Sequence, residues 1–398
     1  MTVALEPAFA QRPTGESPSE FTVPANTSLS PASAPPVSVT DLIGFAKIGS
    51  MEPNFPRQNS YAPFLPQVSD EIIWSPDASY VAKVVRRGNL KLNTVEGELL
   101  LFRASDLLSQ PRGESLVKFS SSSPLPPIRA VRWINNKMLA FLAENPGDLP
   151  QVYTIDIETK VILKKTSAAT KITRFDVSSD GNTVVYQAAR ANDPNQFRND
   201  IARGFNVKNG VKLTFLMKGE YGVVSDSDFY QPLDMWKVEG NGRAEVLALD
   251  PSIFSPGLQY EFYIAPLGNW LLVNAPTVDP SKEWVDYKVE GKGFDLRGAS
   301  QWRLVRISDG TSFPLIDAPI AAVPPGWSRP KMYQGQLLWA PDGKSVLLNS
   351  AWLPLGGTTG EERLRRVSNR YVVQVDLSSR TYSVLDKIEP NTELLIDY

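Results

Sequence analysis

One pattern returns five times in this sequence, and a strand–turn–strand unit that repeats leaves few folds open. The units are Ile72-Ile-Trp-Ser-Pro-Asp-Ala-Ser-Tyr-Val-Ala82, Val131-Arg-Trp-Ile-Asn-Asn-Lys-Met-Leu-Ala-Phe141, Phe175-Asp-Val-Ser-Ser-Asp-Gly-Asn-Thr-Val-Val-Tyr186, Phe262-Tyr-Ile-Ala-Pro-Leu-Gly-Asn-Trp-Leu-Leu272 and Leu337-Leu-Trp-Ala-Pro-Asp-Gly-Lys-Ser-Val-Leu347. In each, an apolar run meets a turn and a second apolar run follows. Asp and Asn stabilise the turn by local hydrogen bonds, and Gly supplies a positive φ. Aligned on Trp74, Trp133, Val177, Ile264 and Trp339, the units recur at intervals of roughly 59, 44, 87 and 75 residues. A propeller blade takes about 40–50 residues, so the longer gaps imply insertions.

Further strands follow within the units: Leu99–Phe102, Val152–Asp156, Trp302–Ile307 and Tyr371–Asp376. Four strands per unit is the blade pattern. The expected fold is therefore all-β, a β-propeller of four-stranded blades with about five recognisable in the sequence. The rival is a two-sheet sandwich, which repeated turn chemistry disfavours. No helical segments of about 10–15 residues alternate with the strands, which argues against a parallel α/β fold. The final Thr392-Glu-Leu-Leu-Ile-Asp-Tyr398 reads either as a strand just begun, leaving the ring incomplete or truncated, or as the closing strand of a small propeller.

The two ends of the chain differ in composition. Residues 1–60 are rich in Pro, Ser, Thr and Ala, too poor in apolar surface to offset their ordering entropy, and read as a disordered lead-in to a propeller over 61–398. Within the lead-in, Ala8-Phe9-Ala10 before Gln11 fits the end of a signal peptide that has lost its start, or a chance match in a tail. A helical turn over Val39–Ala46, capped by Thr40 or Asp41, is expected.

Two absences exclude whole classes of chemistry. The 398 residues contain no Cys and no His. Thiolate nucleophiles, disulfides and Cys-based zinc sites cannot form, and no Ser-His-Asp triad can be assembled from these residues. The net charge of −2 gives no basic field for nucleic acid. No run of about 18 apolar residues is present, so no membrane span is expected. No cofactor and no metal is expected either.

Trp74-Ser-Pro-Asp77 and Trp339-Ala-Pro-Asp-Gly343 resemble the repeats of propellers found in the prolyl oligopeptidase family of serine peptidases and in TolB-like periplasmic proteins. Val84–Thr94 with Leu99–Arg103 is similar to blade one of bacterial members of the peptidase family, including secreted oligopeptidases and lasso-peptide isopeptidases; Thr40–Ile43 resembles their entry segment. The resemblance covers about residues 38–398. It implies a propeller that gates or docks a peptide substrate for a hydrolase domain carrying Gly-x-Ser-x-Gly, a motif that these residues lack. A free-standing TolB-like scaffold for a protein partner is the alternative. The resemblance implies a periplasmic or secreted location, with a cytoplasmic one as the alternative.

The resemblance also singles out Glu361 and Glu362, because dipeptidyl peptidases of that family hold a substrate ammonium on a propeller Glu pair. Here Arg363, Arg365 and Arg366 compete for them, which favours a solvated charged loop between two strands. Asp226-Ser-Asp228 reads as a turn rather than a cation site. Gly343-Lys-Ser345 lacks the leading Gly of a phosphate-binding loop, position 338 being Leu. Arg86-Arg87 reads as an exposed strand end, and the aromatic-rich insert from Asp193 to Trp236 as a decorated blade or a binding loop.

Overall fold

The structure, a computed structural model, describes residues 72–122, 126–189, 233–254, 260–289, 292–296, 299–320 and 337–388. The lead-in, its A-x-A site, Val39–Ala46, Asp226–Asp228 and Thr392–Tyr398 lie outside the described residues, as does most of the Asp193–Trp236 insert. Everything described belongs to one compact unit, Ile43–Tyr398.

Among the described residues, five four-stranded antiparallel sheets follow one another along the chain. Sheet one holds β1 (Ile73–Trp74), β2 (Tyr80–Asn89), β3 (Thr94–Arg103) and β4 (Glu114–Ser121). Sheet two holds β5 (Ile128–Trp133), β6 (Met138–Ala143), β7 (Gln151–Asp156) and β8 (Ile162–Lys164). Sheet three holds β9 (Ile172–Val177), β10 (Thr183–Ala189), β11 (Leu233–Glu239) and β12 (Glu245–Val246). In sheet four β13 (Glu261–Ile264) and β14 (Trp270–Pro276) are followed by a small hairpin, β15 (Lys288–Val289) and β16 (Lys292–Gly293), before β17 (Ser300–Arg306) and β18 (Ser312–Pro314). Sheet five holds β19 (Leu337–Trp339), β20 (Ser345–Ala351), β21 (Arg370–Asp376) and β22 (Thr381–Ile388), with α1 (Gly360–Ser368) inserted between β20 and β21. Each sheet is a simple meander in chain order, the blade of a β-propeller. Among the described residues no helix is long and apolar enough to cross a membrane.

The repeated motif builds the first hairpin of each sheet. Trp74, Trp133, Val177, Ile264 and Trp339 are the last residues of the five inner strands. In four sheets the turn that follows is closed by the same 2.8 Å backbone bond: Ala78, Gly181, Gly268 and Gly343 donate to Ser75, Ser178, Ala265 and Ala340. Ser75 and Ser178 add a side-chain clasp, donating to Asp77 and Asp180 while accepting from the N–H of Tyr80 and Thr183. In sheet two Asn135 does this work, accepting from the N–H of Lys137 and Met138 at 2.8 and 2.9 Å.

Strand periodicity then stacks the sheets. Leu139 and Phe141 on β6 pack against Leu99 and Leu101 of sheet one, while Ala140 and Leu142, one residue out of phase, pack against Val184 and Tyr186 of sheet three. Val185 of sheet three meets Leu271 and Val273 of sheet four, and Leu272 between them meets Val346 and Leu348 of sheet five. Successive side chains of a strand point to opposite faces, so one apolar run serves two interfaces. Fully burying a Val, Leu or Phe side chain in this way is worth about 1.5–3 kcal/mol.

Candidate functional site

Polar groups on the inner strands tie neighbouring sheets together. Asp176 of β9 is buried, and its Oδ1 lies 2.6 Å from Arg132 Nη2 of β5. Its Oδ2 accepts from the N–H of Ile264 on β13 at 2.8 Å, so one carboxylate spans three consecutive sheets. The Arg132 guanidinium also lies 4.6 Å over the ring of Phe175. Burial lowers its proton affinity from the ordinary arginine value, opposed by the charge of Asp176.

The same pairing recurs one sheet on. Arg174 sits 5.4 Å from the rings of both Phe262 and Tyr263, and its Nη2 donates to the carbonyl of Phe262 at 3.4 Å. The Tyr263 hydroxyl donates to Glu261 at 2.7 Å. Burial pushes that phenol well above its ordinary pKa, and the neighbouring carboxylate adds to the effect. At the sheet end away from the Asp-Gly turns, Arg129 and Glu144 form a buried ion pair at 3.1 Å, and Ser121 donates to the same carboxylate. Arg129 Nη1 donates to the carbonyl of Pro126 at 3.1 Å.

At that same end of sheets four and five, two insertions condense into a satellite core. Trp284, Tyr287 and Phe294 come from the β14–β17 insertion; Trp352, Leu355 and Val367 come from the β20–β21 insertion. Tyr287 and Trp352 lie with ring centroids 5.3 Å apart, and Phe294 meets Trp352 edge-on at 5.7 Å. The Tyr287 hydroxyl donates to the carbonyl of Leu353 at 2.7 Å. Arg363 of α1 closes the outside of the joint on Asp286 at 2.7 Å and Glu283 at 3.5 Å. Arg370 lies 4.5 Å over the Trp352 ring, connecting the satellite core to the first residue of β21.

Glu361 and Glu362 fall in the first turn of α1. The segment read as a charged loop is a helix because its charges suit one: glutamates near the N-terminus, Arg365 and Arg366 in the last turn. Glu362 accepts from Arg366 at 2.7 Å, one turn on, and lies 3.3 Å from Arg365. The hydrogen bond from Arg366 holds the Glu362 carboxyl below its ordinary pKa. Glu361 is exposed. The structure therefore brings the two glutamates onto one helix of the satellite core, with Glu362 engaged by arginine.

Gly343-Lys-Ser345 forms the β19–β20 turn, and Arg86 and Arg87 lie in the second half of β2, with Arg86 buried rather than at an exposed end. Arg86 pairs with Gly97 of β3, and its neighbour Arg87, on the opposite face of the strand, is exposed. Among the described residues no group of three or more carboxylates is arranged to hold a metal ion. A pocket of about 410 Å³ lies at the opposite, turn-bearing end between sheets three and four, where Arg306 already covers the Trp270 ring at 5.2 Å.

The arginine–aromatic pairs were not anticipated from the sequence. Their signal is a charged residue inside an apolar inner strand, as in Val131-Arg-Trp133 and Arg174-Phe-Asp-Val177.

Neither the known protein-family patterns nor the curated proteins contain a match to this chain. Among solved structures it is similar to TolB from Acinetobacter baumannii, at 13% identity and a TM-score of 0.34, over 74% of this chain and 50% of that one. It is similar to the acylaminoacyl peptidase of Pyrococcus horikoshii, at 14% identity and a TM-score of 0.39, over 77% of this chain and 38% of the peptidase. It is also similar to the AtxE2 isopeptidase, at 13% identity and a TM-score of 0.32, over 90% of this chain and 55% of that protein. The chain thus spans half or less of the first two.

Proposed function

We propose that this chain is a noncatalytic propeller that gates or docks an extended peptide for a hydrolase domain supplied from outside these residues. The observation that carries the reading is the satellite core, in which insertions of two neighbouring blades pack into one aromatic cap at a single end of the sheets. Rigid scaffolds place binding surfaces on such insertions. Glu261, Tyr263 and Arg174 on the inner strands offer a carboxylate, a phenol and a guanidinium, chemistry suited to a peptide backbone and its termini. Glu361, exposed on α1, is the remaining candidate to meet a substrate ammonium.

The absence of His supports the noncatalytic part of the reading, since no imidazole in these residues can activate a serine. A periplasmic or secreted location belongs to the same proposal. Incubation of the chain with a serine-directed fluorophosphonate tests it. No covalent adduct and no peptidase or esterase turnover is the expected result; stoichiometric labelling of one Ser would overturn it.

A further inference from the structure

Strand β8 is the free edge of sheet two: among the described strands it pairs only with β7. It is also apolar where an edge is usually polar. Val161, Ile162 and Leu163 are 52, 40 and 50% exposed. Lys160 stands before them and the exposed Lys164 after them. Val161 accepts from Asp156 and Lys165 donates to Val152, so odd-numbered residues face β7 and the backbone groups of Ile162 and Lys164 point outward. Such a row of unspent backbone groups is a template for another strand.

The chain carries a segment that complements this edge residue by residue. Glu393-Leu-Leu-Ile-Asp397, outside the described residues, has an apolar triplet between two acids. Laid antiparallel on β8, it sets Glu393 beside Lys164, Leu394 beside Leu163, Leu395 beside Ile162, Ile396 beside Val161 and Asp397 beside Lys160. Ile162 and Lys164 would then exchange backbone bonds with Leu395 and Glu393. Cross-strand apolar pairs and opposite charges are what stabilise such a ladder. Lys160 sits at the left-handed turn feeding β8, with φ 59°, and already pairs with Glu114 at 3.0 Å. Lys164 therefore carries the main charge match.

We infer that β8 accepts the Glu393–Asp397 segment of a second copy of this chain by strand addition. The reach of the chain excludes its own tail. From Ile388, the end of β22, five residue steps lead to Glu393 and cover at most about 17 Å. Sheets five and two are at least two sheet spacings apart, about 20 Å at roughly 10 Å each. The contact joins two different surfaces, so it builds either a reciprocal dimer or a head-to-tail chain. It is independent of the proposed peptide gating, which concerns the other sheets.

Sedimentation velocity of the full chain across a wide concentration range tests the inference, alongside anisotropy with a fluorescein-labelled peptide of residues 389–398. Concentration-dependent dimers or longer species, and saturable peptide binding, are expected. Ile162→Pro removes an outward N–H without costing a β7–β8 bond, and should weaken the peptide at least about tenfold. Lys164→Glu should weaken it similarly, and a peptide carrying Glu393→Lys should recover binding to that variant. A monomer at every concentration would overturn the inference and leave the lysines as guards against edge pairing. So would peptide binding that both variants leave unchanged.

Discussion

Replacing Asp176 by Ala should loosen three sheets at once. The carboxylate satisfies the buried N–H of Ile264 at 2.8 Å and the N–H of Val177 at 2.7 Å, each worth about 1 kcal/mol net. The ion pair with Arg132 adds less than a fully buried pair would, because 33% of that arginine side chain is exposed; about 1 kcal/mol is a fair share. The expected loss is about 3 kcal/mol, and about 1–2 kcal/mol for Asp176→Asn, which keeps a neutral acceptor. Guanidinium denaturation followed by tryptophan fluorescence measures it, with an unchanged slope showing that the transition keeps its extent. A double-mutant cycle with Arg132→Leu should return a coupling of about 1 kcal/mol. Amide exchange at Ile264 should quicken in Asp176→Ala, although residue 264 lies in another sheet. A loss below about 0.5 kcal/mol, with exchange at Ile264 unchanged, would refute the three-sheet joint.

Gly310→Ala should cost about 2–3 kcal/mol in the same denaturation assay, because the glycine has φ 74° and an added Cβ would lie 1.9 Å from the Ala248 carbonyl oxygen. Trp352→Ala should cost about 3–5 kcal/mol locally, exposing the amides around Tyr287 and Val367 to exchange while β2, β6 and β10 stay protected. Acid should weaken the fold through the turn carboxylates. Backbone hydrogen bonds from Thr159, Thr311 and Ser379 hold Asp156, Asp309 and Asp376 below the ordinary aspartate value of 3.8, Asp376 at about 2. A depressed folded-state pKa means that their contribution is complete above pH 3.8 and is lost as pH falls toward 2. The Asp156→Asn, Asp309→Asn and Asp376→Asn triple variant lacks that contribution at every pH and should therefore unfold at a higher pH than the parent, followed by near-ultraviolet circular dichroism; an unchanged midpoint would count against the turn assignment.

The inner hairpins were legible because their signal is local. A turn of Pro-Asp-Gly or Asn-Asn chemistry needs only neighbouring residues, and all five alignment positions end an inner strand. The insertions were legible as excess spacing, but not as a satellite core. Tyr287, Phe294 and Trp352 share no period, and only the folded sheets bring the first two rings within 6 Å of Trp352. Helix α1 escaped notice for a different reason. Its stability rests on Glu362–Arg366 pairing and on Val367 entering the core, whereas the one buried residue in nine leaves almost no apolar stripe to read. Arg132 and Asp176 lie on different sheets, so their partnership depends on blade packing that no short window contains.

The central claim, peptide engagement without chemistry, meets its most direct test in photo-crosslinking. The chain is incubated with an extended peptide bearing a photoreactive phenylalanine, and both the crosslinked residues and the peptide are read by mass spectrometry. Adducts on the satellite core, α1 included, with the peptide recovered intact, are the predicted result. Cleaved peptide, or adducts confined to the turn-bearing end around Trp270, would contradict it.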